Sequence, residues 1–68
     1  MHPATANALQ FFTYDHLPGN LQVINSPICE LAKAMAESLP EHSEVTRGLW
    51  KLMEAKDCFV RAELTRGK

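Results

Sequence analysis

From Leu21 onward the large apolar residues fall at Leu21, Ile24, Ile28, Leu31 and Met35, in steps of three and four. A helix that buries one narrow seam requires that spacing, whereas a strand repeats every two residues. A second series, Val45, Leu49, Leu52 and Phe59, steps the same way once Lys56 is allowed to occupy the position between Leu52 and Phe59. Between the two series lies Leu39-Pro40-Glu41-His42-Ser43-Glu44. Its proline stops the first helix, and its serine and acidic residues suit the start of the next. So short a connection makes the two helices antiparallel neighbours. The expected fold is all-α: an antiparallel helical hairpin in a single domain over 1–68, with a first helix at 18–39 and a second at 43–65.

Asn25-Ser26-Pro27 interrupts the first series. A proline inside a helix removes one backbone hydrogen bond and crowds the carbonyl four residues back. Either the helix kinks at Pro27, or a short helix near Pro18–Gln22 ends and a new one starts with Ser26 as N-cap and Pro27 at the first helical position. Upstream, residues 1–17 form a short N-terminal helix or an ordered arm. Its Phe11-Phe12-Thr13-Tyr14-Asp15-His16-Leu17 run places three rings and an imidazole ahead of Pro18-Gly19-Asn20, a turn signal. Those rings follow neither helical nor strand period, so something outside the segment must cover them.

The chain is short enough that one domain buries only roughly 60% of its unfolded surface. With 46% apolar and 22% charged residues and a formal net charge of −1, it reads as globular. It is neither a disordered acidic chain nor a basic binder of polymeric nucleic acid. No apolar run reaches the ~20 residues that span a bilayer, and the N-terminal stretch lacks the pattern of a signal peptide. A cytosolic protein with no membrane partner is therefore expected. Cys29 and Cys58 lack the paired spacing of a zinc or redox motif, and a hairpin folding back near residue 41 sets them about 7 Å out of register. Both are read as small, buried, free thiols.

The second helix is more apolar than one hairpin needs, since Trp50 and Leu64 lie on one flank of its seam and Met53 and Val60 on the other. A small scaffold with exposed apolar surface and no disulfide or metal is expected to form a homo-oligomer.

Enzyme motifs are lacking: the sequence has no Gly-rich phosphate loop, no Gly-x-Ser-x-Gly and no His-Glu-x-x-His, so neither catalysis nor a cofactor or metal is expected. The candidate site residues are those suited to binding an anion or a base. Lys56 holds an ammonium in an otherwise apolar seam, where it either binds a phosphate or snorkels outward to set register. Arg61 pairs with Asp57 four positions back, yet a stronger anion could redirect it. Asn25 and Ser26 offer a capping side chain and free N–H groups if a helix starts there. Tyr14 and His16 either stack on a nucleobase or pack the arm over the open end of the hairpin near residues 62–68.

Several stretches together resemble a known family. They are Phe11-Phe12-Thr13-Tyr14-Asp15-His16-Leu17-Pro18, Leu31-Ala32, Leu39-Pro40, Leu49-Trp50-Lys51-Leu52-Met53-Glu54-Ala55-Lys56-Asp57 and Val60-Arg61-Ala62. The chain resembles the small phage hairpin proteins that include the anti-CBASS cyclic-nucleotide sponge and share a hairpin domain with an anti-Thoeris sponge. The resemblance implies a compact hexamer in the cytoplasm of an infected bacterial host. It would capture cyclic dinucleotides and cyclic trinucleotides in pockets between protomers, without cleaving them. Two departures stand out: Trp50 where a basic residue is expected before the lysine, and Ser26 where lysine is expected. Each removes a potential phosphate contact. The rival reading is an oligomeric helical-hairpin adaptor or inhibitor that binds a host protein through Trp50, Met53, Val60 and Leu64.

Overall fold

The computed structural model describes residues 1–66, and within them the regular structure is helical throughout: α1 (Pro3–Leu9), α2 (Gly19–Ser38) and α3 (Ser43–Leu64). α2 and α3 pack along each other, consistent with a hairpin, and α1 lies mainly against α3.

Each helix end has a local cause. Pro3 opens α1 at a position where its missing N–H costs nothing, and His2 Nδ1 accepts from the Ala4 N–H at 3.0 Å. α2 starts after Pro18, whose carbonyl accepts from the N–H groups of Leu21 and Gln22. The Gln22 amide reaches back to donate to the Leu17 carbonyl at 2.8 Å, tying the arm's end to the helix. Leu39, in extended conformation ahead of Pro40, ends α2. The cap of α3 is His42 rather than Ser43: its Nδ1 accepts from the Glu44 N–H at 3.0 Å, and Ser43 is already helical.

α2 runs through Pro27 without a break. The reading in which a new helix starts with Ser26 as N-cap is thereby excluded. Pro27 lies on an exposed side of the helix, and the carbonyl it leaves without an N–H partner belongs to Val23, a residue 72% exposed. Asn25, two residues before the proline and on the inner side, donates its amide to the Leu21 carbonyl at 2.7 Å and so enters the core with its polar group satisfied.

The buried line of α2 is not the one its large apolar residues predict. Asn25, Cys29 and Ala32 are buried, whereas Leu31 and Met35 are exposed. On α3, Leu49 is buried, Val45, Leu52 and Lys56 are half-buried, and Phe59 is exposed. The physical reason is the arm. Phe12 is fully buried and shares the core with Ala8, Cys29, Ala32 and Leu49. A phenyl ring wedged between two helices needs small residues opposite it, which Cys29 and Ala32 supply. α2 therefore turns those positions inward and its larger residues sideways.

The arm runs along the hairpin, with Thr5 hydrogen-bonded to Thr46 at 3.0 Å near the turn and Phe11 against Trp50 at 5.6 Å, their planes tilted by 48°. It does not pack over the open end near 62–68, of which residues 67–68 lie outside the described chain. Trp50, expected as exposed surface, is half-buried beneath Phe11. Both cysteines are free, but only Cys29 is buried; Cys58 is exposed on α3. Among the described residues no helix is long and apolar enough to cross a membrane.

Candidate functional site

Where the arm leaves Phe12 and descends toward the start of α2, it fails to close against α3 and leaves a recess of about 320 Å³. Leu17, Leu21 and Val60 give it an apolar floor, while His16, Lys56 and Asp57 bring polar groups to it. The recess thus joins three separate parts of the chain, the arm, α2 and α3. Its volume sits at the lower bound of small-molecule sites, enough for part of a nucleotide rather than for a whole cyclic dinucleotide.

Lys56 is the most constrained of its polar groups. Its stem occupies the α3 seam, and its Nζ donates to the Phe11 carbonyl at 2.6 Å and lies 5.4 Å from the centre of the Phe12 ring. Both sequence readings of Lys56 concern the same atom: the ammonium that could meet an anion is also the group that latches the arm.

His16 lies exposed at the recess, and Asn25 contributes to its wall with an amide already engaged on the Leu21 carbonyl. The other candidates lie elsewhere. The Tyr14 hydroxyl donates to Glu30 Oε1 at 3.0 Å, and Lys33 Nζ stands 5.9 Å from its ring centre. The hydrogen bond to the Glu30 carboxylate, with that carboxylate's negative charge, holds the Tyr14 phenol above its ordinary pKa. Ser26 is half-buried in mid-helix, with no free helix start beside it. Arg61 does not pair with Asp57; its Nη2 donates to Cys58 Sγ at 3.3 Å.

Sequence reasoning missed Glu30 and Lys33, which clasp Tyr14 from α2. The sole signal was their helical spacing of three, and nothing tied that pair to a ring sixteen residues upstream. A second recess, of about 740 Å³, was missed as well. It opens at the turn end of the hairpin, where Trp50, Arg47 and Lys51 of α3 meet His2 and His42. Glu41 and Glu54 alternate with those cations, and Arg47 is held by Glu44 at 3.5 Å, so the recess carries little net charge.

Burial pushes the Cys29 thiol above its ordinary pKa against the opposing pull of Lys56 and Lys33, which keeps it a weak nucleophile. Among the described residues no three His, Cys, Asp or Glu side chains converge. Comparison with protein-family models, with characterised proteins and with solved structures finds no match to this chain.

Proposed function

We propose that this chain is a phage anti-defence protein that sequesters cyclic dinucleotide and cyclic trinucleotide immune signals without cleaving them. It acts as a homo-oligomer, a hexamer by its family resemblance, in the cytoplasm of the infected bacterium. The observation that carries the reading is the recess between arm and hairpin, where Lys56 and His16 stand over an apolar floor. A cation beside an apolar wall suits a nucleotide, whose phosphate and base need those two surfaces.

One recess of this size takes part of the ligand, and a second copy supplies the rest. A cyclic dinucleotide is nearly two-fold symmetric, so a two-fold pair of protomers offers every contact twice. Tyr14, outside the recess of its own chain, then serves as a stacking surface for a base held between protomers. Asn25 stands in the wall of the recess, and Ser26 and Arg61, which lie outside it, would reach the ligand only from the second copy. Sequestration requires affinity and no activated nucleophile, which accords with the weakly reactive Cys29.

Cyclic GMP-AMP added at about 100 times its dissociation constant stabilises the protein by ~2.7 kcal/mol per site, which a thermal melt reads directly. The nucleotide recovered after heat release is intact on a column. An unchanged melt removes the sponge reading in favour of the host-protein adaptor, and linear products establish an enzyme. Tyr14→Ala lowers affinity roughly ten- to hundredfold if the ring stacks on a base.

A further inference from the structure

The three charged residues of α2, Glu30, Lys33 and Glu37, fall within a sector of roughly 60° at 100° per residue. Tyr14 marks that sector as the arm's side, since it meets both Glu30 and Lys33. A second sector of roughly 80°, centred about 130° round the helix and running from Asn20 through Ile24, Pro27, Leu31 and Met35 to Ser38, holds no charge at all. Beside it, between α2 and α3, lies a groove of about 500 Å³ whose walls include Ile24, Pro27, Ile28 and Phe59 and no residue of α1 or the arm. The charged groups in it, Glu63 and Arg66, satisfy each other at 2.6 Å. The arm closes one side of the hairpin, and the other side is left open, apolar and electrically neutral.

We infer that this open side is the primary interface of the protein, occupied by the same side of a second copy. Three observations select that occupant. First, neutrality disfavours a charged partner such as an acidic peptide or a nucleic acid, whereas a copy of the face is neutral and apolar by identity, and two-fold symmetry lets one patch serve both partners. Second, a side running the molecule's 41 Å length and 16–19 Å width is bounded by a rectangle of roughly 660–780 Å², of the order of the ~800 Å² per partner that a standard stable interface buries. Third, the protomer's own core contains few large buried side chains, chiefly Phe12 and Leu49, and with both cysteines free a chain this small gains stability by association. The α3 edge of the groove is also shaped for close approach. Gly48, Ala55 and Ala62 repeat every seven residues along it, and nothing lies within 4 Å of where a Gly48 side chain would begin.

The inference deepens the oligomer assumed by the sponge reading and moves its contact surface away from Trp50, which the arm already covers. Leu31 and Phe59 are 47% and 56% exposed in the protomer, so charging them leaves the protomer's own core untouched. The test is light scattering on the wild type, on the double variant Leu31→Glu/Phe59→Glu, and on Glu54→Lys as control, at an exposed α3 position that faces the arm's side beside His2 and Trp50. The expected result is an assembled wild type and control, with the double variant reduced to monomer. An assembled double variant, or a monomeric wild type at high micromolar concentration, overturns the inference.

Hydroxyl-radical footprinting of the wild type supplies a test free of any folding defect in the variant. Met35 and Phe59 are protected at high concentration and labelled on dilution if this face is the interface; equal labelling at both concentrations overturns it. Loss of assembly in the double variant alongside a wild type that ignores cyclic nucleotides refutes the sponge and leaves the interface standing.

Discussion

Replacing Lys56 by methionine keeps an unbranched apolar stem in the α3 seam and deletes only the ammonium, so it isolates the arm latch. Two contacts are lost: the hydrogen bond to the Phe11 carbonyl and the approach of the charge to the Phe12 ring. A hydrogen bond with one charged partner contributes ~1.5–3 kcal/mol, and a cation over an aromatic face at a partly exposed site adds ~0.5–1 kcal/mol. Lys56 is half-buried, so solvent screening places the first at its lower end, and the total comes to about 2 kcal/mol. For a domain of this size each kcal/mol moves the melting temperature by ~4–8 °C, so Lys56→Met is expected to melt roughly 8–16 °C lower at equal protein concentration. The chain's single tryptophan reports the cause, because Trp50 packs against Phe11 and its fluorescence changes when the arm lifts. If Lys56 instead merely snorkels past the seam, methionine is a near volume-conserving apolar replacement and the variant melts at or above the wild type. That outcome, with Trp50 fluorescence unchanged, refutes the latch.

Phe12→Ala removes the one large ring fully enclosed by the fold and is expected to cost ~3–5 kcal/mol, whereas Phe11→Ala, at a ring 44% exposed, costs about 1 kcal/mol; denaturant titration separates them. Alkylation of the native protein modifies the exposed Cys58 rapidly and the buried Cys29 only upon unfolding, as mass spectrometry over time will show. The Arg66 guanidinium holds the Glu63 carboxyl below its ordinary range, so this pair stabilises the fold above the unfolded carboxylate pKa and loses its effect as pH falls through the lowered, folded value. Carbon NMR titration of Glu63 in Arg66→Ala is expected to return the group upward, and an unchanged midpoint removes the pair as cause.

The elements of this fold were legible from spacing and punctuation alone. Apolar steps of three and four, one proline between them and no strand period leave little besides two long helices, and the observed ends lie within a residue of those expected. Local chemistry also marked Lys56 as unusual and named six candidates, of which the fold brings His16, Asn25 and Lys56 to one recess and leaves Tyr14, Ser26 and Arg61 outside it.

The orientation of each helix about its own axis was decided elsewhere. Periodicity names a stripe but assigns it no partner, and the wedge that settles the matter, Phe12, lies in an arm without helical or strand period. With that ring between α2 and α3, the small residues Cys29 and Ala32 must face inward, and Leu31, Met35 and Phe59 are left at the surface. The same long-range packing turned Tyr14 toward Glu30 and Lys33 and gave Lys56 the Phe11 carbonyl, while α2 runs through Pro27 on an exposed side. Contacts over such separations depend on which volumes fit together in three dimensions, a property that a one-dimensional pattern does not contain.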